Sequence, residues 1–297
     1  MKDILLIPKL EVEDVSAKPS PYTIGFPAMT AWMGFVHRLE RDLQNTEYVG
    51  IKFTSVGVVS HKFELDVFKS PRAFNYAVKG KRLPPPKYKK NASLIPEPTA
   101  QLTASVVIEC SDIGLIDHDE FTNIIQRLIH NYRLSGGCII GFEKPELYSV
   151  HDDASQKKLF RRLMPGFCLI ERRDLVQDAV GKGHDSLDAI LSYLHITNQY
   201  NETSKQWESN RKEPGWLVPI TTGFQGVTQP GSAENTRDAN NTPHLFAEPV
   251  ITMGEFVMPY RIPKLDNMLW HYHQDSVKNL YVCQQNEPVQ QGGSNVY

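Results

Sequence analysis

The stretch DHDEFTNIIQRLIHNYRLSGGCIIGF, residues 117 to 142, contains the clearest structural signal in the sequence. Apolar residues recur in it at intervals of three and four, which predicts a helix with one continuous apolar stripe. The stripe consists of Phe121, Ile124, Ile125, Leu128, Ile129 and Tyr132. Asp117 or Asp119 can cap the start of this helix, and Gly136 and Gly137 are predicted to end it. The run CIIGF predicts a strand directly afterwards.

The elements predicted upstream give this helix its place in a fold. Residues 4–12 form a short apolar run typical of a buried strand, and an amphipathic helix is predicted from about Pro27. Residues 50–68 are rich in valine and phenylalanine and predict a long strand or two pieces, and residues 101–109 alternate as another strand. The resulting order, β-α-β-β-α-β, predicts an α+β protein with a ferredoxin-like core, an arrangement that RNA-recognition modules also use.

The length of 297 residues suits such a core with a second lobe attached. We expect the core at residues 1–148, including a projecting basic, thumb-like insertion at 69–98. A mixed α+β lobe is predicted at 149–283, and a flexible tail at 284–297.

The pattern of the second lobe is less regular than that of the core. A helix is predicted at residues 186–196 and a short helix around 265–272. The stretch NQYNETSKQWESNRKE, residues 198–213, is interpreted as a polar linker.

Composition excludes several classes of protein. Hydrophobic residues make up 40% and charged residues 22% of the chain, which is typical of a compact globular protein. No run approaches the ~18 apolar residues of a membrane span, and the N-terminus is acidic too early for a secretory signal. We therefore expect a cytoplasmic protein without a membrane partner. The four cysteines lie far apart without any CxxC motif, so neither a metal nor another cofactor is expected.

Positive charge is concentrated in one segment of a chain whose formal net charge is -2. No Asp or Glu occurs between Lys69 and Lys90, and Phe74, Tyr76 and Tyr88 are interleaved with the cations. The basic residues are Lys69, Arg72, Lys79, Lys81, Arg82, Lys87, Lys89 and Lys90. Aromatic rings can stack on bases while cations neutralise phosphates, so the segment predicts a loop or hairpin that binds single-stranded RNA. A solvated loop that only keeps the protein soluble is the alternative.

Two other features are weaker candidates for contact with RNA. The motif RLSGG combines Arg133 with Gly136 and Gly137 and would let backbone N–H groups approach a phosphate, although an ordinary glycine helix end explains it too. Arg161 and Arg162 belong to a second basic stretch, for which a solvated helical face is an equally good explanation.

An enzyme is the main alternative to a binding protein. The chain has ten histidines, and metal-independent ribonucleases use histidine as a general acid or base. His37 falls inside the first predicted helix and His61 in a strand, where packed or surface histidines are common. No GxSxG, Walker, HExxH or dinucleotide-binding motif is present. We therefore predict a protein without catalytic residues and retain a metal-independent endoribonuclease as the second hypothesis.

Several motifs in a fixed order resemble a known family. They are SPYTIGFPAMTAWMGFVHRL at 20–39, HKFE at 61–64, FN at 74–75, RLSGG at 133–137, RRLMPGF at 161–167, PGWLVPI at 214–220 and LWHYH at 269–273. Together they cover most of the chain and resemble the second Csy protein family, the handle-binding RAMP-superfamily subunits of type I-F CRISPR surveillance (Csy) complexes.

The resemblance implies a ferredoxin-like RAMP core with a thumb and a role in a multisubunit complex. The protein would bind the five-prime handle of the crRNA beside the large subunit and the first backbone subunit, and a separate subunit would cleave the guide. Whether target DNA near the large subunit is also contacted stays open.

The resemblance also suggests individual residues for contact with RNA. Ser20 and Gly25 would lie near RNA in the turn before the first helix. Phe74 and Asn75 belong to the thumb-like insertion, and Arg133, Gly136 and Gly137 to the glycine-rich loop. The lysines around the three consecutive prolines are assigned to RNA on charge alone.

Overall fold

The computed structural model describes residues 1–82, 94–111, 113–114, 116–231 and 242–285. Within them the chain is an α+β protein with five α-helices, an eleven-stranded antiparallel sheet and three two-stranded hairpins. The helices are α1 (Met29–Leu43), α2 (His118–Ile129), α3 (Asp153–Arg162), α4 (Arg173–Gly181) and α5 (Ser186–Leu194). No helix in these ranges is long and apolar enough to cross a lipid bilayer.

The strands are numbered in chain order. They are β1 (Lys2–Ser16), β2 (Lys52–Leu65), β3 (Val67–Phe68), β4 (Ala77–Val78), β5 (Gly80–Arg82), β6 (Leu94–Pro96), β7 (Thr99–Ser111), β8 (Arg133–Leu134), β9 (Gly137–Gly141), β10 (Glu146–Val150), β11 (Phe167–Glu171), β12 (Asn198–Asn201), β13 (Gln206–Ser209), β14 (Leu217–Gly226), β15 (Ala247–Val257), β16 (Trp270–Asp275) and β17 (Leu280–Gln285). The hairpins outside the large sheet are β3–β4, β5–β6 and β12–β13.

The central part of the sheet has the antiparallel order β2-β7-β1-β9, and β10 shares the outer edge of β1 with β9. Alternate side chains of β1 therefore serve two cores. Leu5 and Ile7 pack in the cluster that contains the buried faces of α1 and α2. Ile4 and Leu6 pack in a second cluster, with α3 on the opposite face of the sheet.

Strand β1 is interrupted by two bulges. Its pairing with β7 shifts register between Ile7 and Leu10 and again between Val12 and Val15, where two residues of β1 oppose one of β7. Lys9 and Asp14 sit in these bulges with φ values of +50° and +52°. Positive φ is uncommon for residues other than glycine, and it redirects both side chains away from the regular alternation.

Helix α2 confirms its predicted start but not its predicted end. Asp117 caps it by accepting the N–H groups of Asp119 and Glu120. The helix ends at Ile129, and of the glycines expected to stop it, Gly136 lies in the turn between β8 and β9 and Gly137 begins β9. Ser135 and Gly136 have φ values of +47° and +82°, as in the two-residue turns that match the twist of hairpins.

Strand β2 connects the two halves of the sheet. One edge pairs with β7, while the other pairs with β11 at Val59 and Ser60 and with β16 at Val56. Strands β11, β15, β14, β17 and β16 follow one another and return to β2, which closes a ring of six strands. Strands from both sides of residue 148 thus share one sheet, and the domain boundary proposed there stays a prediction.

Three predicted segments of the second half of the chain contain regular structure that the sequence did not indicate. The predicted linker 198–213 contains the hairpin β12–β13, in which Tyr200 is paired with Trp207 across the strands. The predicted helix around 265–272 is a 3₁₀ turn over Leu265–Met268, followed directly by β16. Of the predicted tail, Gln284 and Gln285 complete β17, and residues 286–297 lie outside the described part.

The glycine pair of the β8–β9 turn allows a sharp test of this packing. A Cβ atom at Gly137 would lie 2.6 Å from the Glu13 carbonyl oxygen and 2.9 Å from Val15 Cα, both backbone atoms of β1. We expect Gly137→Ala to lower the free energy of unfolding by roughly 1–3 kcal/mol, because the backbone must move. Gly34→Ala in α1 is the matched control, since its Cβ would meet nothing within 4 Å. It should stabilise the protein by about 0.5–1 kcal/mol in the same denaturant titration. Equal stability of the two variants would contradict the packing described for Gly137.

Candidate nucleic-acid interface

Three of the predicted segments meet at the end of the sheet where β1 finishes. The N–H of Ser16 donates to the Ser135 carbonyl at 2.9 Å, and the N–H of Ala17 donates to the Pro98 carbonyl at 3.0 Å. These bonds join the loop 17–28, the arm 66–98 and the turn 133–137. We call these three segments together the β1-end surface.

The arm presents its aromatic residues to solvent. It consists of the hairpins β3–β4 and β5–β6, and Arg72 and Asn75 are exposed in the turn of the first. Phe74 is 96% exposed, and the Lys69 ammonium lies 5.2 Å from the centre of the exposed Tyr76 ring. Rings and cations are thus available side by side, as stacking on single-stranded bases requires.

Part of the predicted arm falls outside this description. Lys87, Lys89 and Lys90 lie outside the described residues, as does Tyr88, and of Arg82 only the backbone in β5 is described.

Two cations of the arm have carboxylate partners that lie outside the acid-free stretch between Lys69 and Lys90. Lys79 Nζ lies 2.8 Å from Asp14 and 3.9 Å from Asp66, and Lys81 Nζ lies 3.5 Å from Glu97. The hydrogen bond to Asp14 raises the pKa of Lys79, and the same bond lowers the pKa of Asp14. Both pairs are exposed to solvent and are of the kind that contributes little stability. The absence of acidic residues from the segment between Lys69 and Lys90 therefore does not leave Lys79 and Lys81 without carboxylate partners.

Asp14 of β1 contacts the β1-end surface and was missed by the sequence analysis. The second bulge of β1 directs it toward the base of the arm, where Thr99 Oγ1 lies 3.3 Å from its carboxylate and 2.5 Å from that of Asp66. The arm is thereby anchored at its base, while its outer turn carries no such ties in the described residues.

The loop before α1 is shaped by Ser20. This side chain is 5% exposed, and its oxygen accepts the N–H groups of Tyr22 at 3.2 Å and Thr23 at 3.1 Å. Ser20 therefore builds the turn rather than offering a free hydroxyl. Gly25 donates its N–H to Ala17, and its Cα faces open space. The start of α1 has no side-chain cap and no acidic residue in its first turn, which leaves its backbone N–H groups suited to an anion.

The glycine-rich turn divides into exposed and packed residues. Arg133 is exposed, and no carboxylate of the described residues lies within 4.0 Å of it. Gly136 is exposed at the tip of the turn, whereas Gly137 is buried against β1. Gly137 thus has a packing role, while Arg133 and Gly136 are accessible to a ligand.

Arg161 and Arg162 are not brought to the β1-end surface. They lie at the end of α3, on the opposite face of the sheet from α1 and α2. Arg162 contacts Glu143 at 2.5 Å and Glu146 at 2.7 Å, and these hydrogen bonds raise its pKa. Arg161 is exposed in the last turn of α3.

A polar cluster surrounds His61 in the middle of the sheet. His61 occupies a bulge of β2 opposite the first bulge of β1, and Ser105 of β7 lies between them. Ser105 Oγ accepts the N–H of Lys9 at 3.1 Å and lies 2.7 Å from His61 Nε2. His61 Nδ1 lies 2.5 Å from the Pro165 carbonyl oxygen and 2.8 Å from Lys9 Nζ. Both ring nitrogens therefore have protein partners.

Burial lowers the pKa of His61, and the charges of Lys9 and Arg162 act in the same direction. The contact with the Pro165 carbonyl and the charge of Glu143 oppose this shift without cancelling it. His61 is thus a neutral histidine whose hydrogen bonds link the bulge of β2 to the first bulge of β1. His37, the other histidine considered for catalysis, is exposed on α1.

The described side chains do not form a metal site. In the described ranges, no group of three or more His, Cys, Asp or Glu residues is arranged to hold a metal ion.

Comparison with known proteins identifies the family. The family model described as CRISPR-associated protein (Cas_Csy2) matches residues 5–283. The CRISPR-associated protein Csy2 of Pseudomonas aeruginosa (strain UCBPP-PA14) is 31% identical over 313 aligned residues, which cover 94% of each chain. The resemblance inferred from the motifs is confirmed, and the chain belongs to the Csy2 family of CRISPR-associated proteins.

Proposed function

We propose that this protein is a non-catalytic subunit of a type I-F CRISPR RNA-guided surveillance complex and that it binds the five-prime handle of the crRNA. The observation that carries the proposal is the β1-end surface, where an arm with exposed rings and cations adjoins an uncapped helix start and Arg133. Membership of the Csy2 family supports the assignment to a Csy complex.

In this proposal the core is a ferredoxin-like RAMP domain. The order β9-β1-β7-β2, with α1 following β1 and α2 following β7, is antiparallel throughout and supports that interpretation. The arm 66–98 corresponds to a thumb inserted between β2 and β7. It joins the sheet at Asp66, whose N–H donates to the Thr99 carbonyl at 2.8 Å.

The proposed grip on RNA combines stacking with charge. Phe74 and Tyr76 offer faces for bases, while Arg72 and Arg133 are exposed cations without a carboxylate within 4.0 Å among the described residues. Backbone N–H groups at the start of α1 would add contacts to a phosphate. Gly25 and Gly136 leave room for close approach of the backbone.

The partners in this proposal are the large Csy subunit and the first backbone subunit, with target DNA near the large subunit as an open question. RNA processing is left to another subunit. The engagement of both His61 ring nitrogens supports the absence of catalysis, because a general acid or base needs a nitrogen within reach of the substrate.

The first test replaces the most exposed ring. Phe74→Ala should weaken binding of guide RNA to the co-expressed complex by roughly 1–3 kcal/mol, the value of one stacked base. The side chain is 96% exposed, so the melting temperature should not change. Val277→Ala, which removes an apolar side chain that is 94% exposed in the β16–β17 turn, is the control. Identical guide affinity of both variants and the unmodified protein would argue against stacking by the arm.

The second test concerns phosphate contacts. In filter-binding titrations at several salt concentrations, Arg72→Gln and Arg133→Gln should each lower the slope of log K against log[salt] by about 0.7, the value for one contact with a single strand. Arg41→Gln on α1 is the control, because this arginine is also exposed and has no carboxylate within 4.0 Å in the described part of the chain. If Arg41→Gln changes the slope as much, the change reflects the overall charge of the protein and not a local contact with phosphate.

The third test distinguishes a structural role of His61 from a catalytic role. Its folded-state pKa lies below the unfolded value of about 6.5, so the unfolded chain takes up the proton first as pH falls. Stability contributed by neutral His61 is complete above about pH 6.5 and is lost below it. His61→Gln should therefore flatten the decline of melting temperature between about pH 7.5 and about pH 5.5. Neither form should cleave labelled repeat RNA, and cleavage that His61→Gln abolishes would favour the endoribonuclease.

A further inference from the structure

An aromatic cluster connects segments that lie far apart in the sequence. Trp216 packs against Phe167 and Phe256, with ring centres 5.2 Å and 5.0 Å away. Phe256 contacts Phe26 at 5.3 Å, and Phe26 contacts Phe63 at 5.7 Å. Phe26 belongs to the loop 17–28, so the cluster leads from the β1-end surface to Trp216.

Trp216 is the member of this cluster that reaches solvent most. It is 54% exposed, whereas Phe26 is buried and the other three rings are partly buried. Its carbonyl oxygen accepts the N–H of Phe256 at 3.0 Å. The preceding Gly215 has a φ of +122°, and a Cβ there would come within 2.4 Å of Glu255 Oε1. The Trp216 ring is thus held in place by the rings packed against it and by a closely packed backbone. A ligand that stacks on it would therefore lose little conformational entropy by fixing this side chain.

A cation is bound to the backbone directly before Trp216. Arg211 Nη1 donates to the Gly215 carbonyl at 2.9 Å, which ties the guanidinium to the residue before Trp216. Among the described residues, no carboxylate lies within 4.0 Å of Arg211. The nearby carboxylates of Asp174, Glu213 and Glu255 are instead engaged by Arg172.

We propose that Trp216 stacks on a base of bound single-stranded RNA and that Arg211 contacts a neighbouring phosphate. This inference rests on the proposed function and extends the RNA-binding surface from the arm, across the loop 17–28, to the start of β14. An exposed ring with an adjacent cation is the combination that single-stranded nucleic acids require.

The surroundings of Trp216 favour a base over a protein surface. Tryptophan and arginine are also common in protein interfaces, but there they sit within a patch that excludes water. Residues 211–213, which precede Trp216 by three to five positions, are Arg, Lys and Glu, and all three are at least partly exposed. Charged residues that are exposed near the ring suit a base that stacks on Trp216 and a phosphate next to that base.

The test uses the full-length chain co-purified with its complex and guide RNA. Trp216→Leu keeps an apolar side chain against Phe167 and Phe256 but removes the stacking face, and we expect guide affinity to fall about tenfold. Trp216→Phe should retain most of the affinity. Trp207→Leu is the matched control, since Trp207 is 72% exposed on the separate β12–β13 hairpin, and it should not change affinity. Melting temperatures of all variants establish that they are folded.

Guide RNAs with single abasic nucleotides provide the second arm of the experiment. At one position, loss of the base should weaken binding to the unmodified protein about tenfold and have little further effect on Trp216→Leu. Arg211→Gln should weaken binding to intact and abasic guides alike, because it removes a phosphate contact.

The outcomes distinguish this inference from the function on which it rests. If Phe74→Ala weakens guide binding and Trp216→Leu does not, the inference is wrong while the proposed function stands. Loss of a partner subunit from Trp216→Leu with unchanged guide affinity would assign the ring to a protein contact and also overturn the inference. If the unmodified complex does not hold the guide through this chain at all, both proposals fail.

Discussion

The interrupted pairing of β1 with β7 determines where the candidate segments lie. Strand β1 has fifteen residues and pairs with β7 on one edge and with β9 and β10 on the other. A regular strand of that length would twist without redirecting any side chain. The two bulges at Lys9 and Asp14 change this. The first places Lys9 beside His61 and Ser105, and the second aims Asp14 at the base of the arm. The end of β1 then supplies the backbone bonds that join the loop, the arm and the turn 133–137.

Local periodicity predicted the elements, and long-range packing decided their ends. The stripe from Phe121 to Tyr132 correctly indicated α2, because burial of one helical face is encoded within a few residues. The glycines at 136 and 137 were misread, since a helix stop and a tight hairpin both favour glycine and only the contact with β1 distinguishes them. The hairpin β12–β13 was read as a linker because its polar strands carry a single aromatic pair, Tyr200 with Trp207.

The ion pairs of the candidate site could not be predicted from the sequence. The segment between Lys69 and Lys90 contains no acidic residue, yet the fold brings Asp14 and Asp66 to Lys79 and Glu97 to Lys81. Asp14 and Lys79 are 65 positions apart, and no local pattern reports that they meet. Trp216 and Arg211 likewise could not be found by counting charges along the sequence. Their position relative to the loop 17–28 depends on the ring of six strands that closes at β2.

These charges bear on how the protein can hold RNA. In a chain with a formal net charge of -2, two of the arm's described lysines, Lys79 and Lys81, have carboxylate partners and are therefore less available to release counterions from phosphates. Stacking on bases does not depend on the number of available cations, because an exposed ring contributes through its face and not through a charge. Phe74, Tyr76 and Trp216 are all exposed by half or more. In the proposed function, the stacking contribution of these rings would therefore change less with salt concentration than the contribution of phosphate contacts.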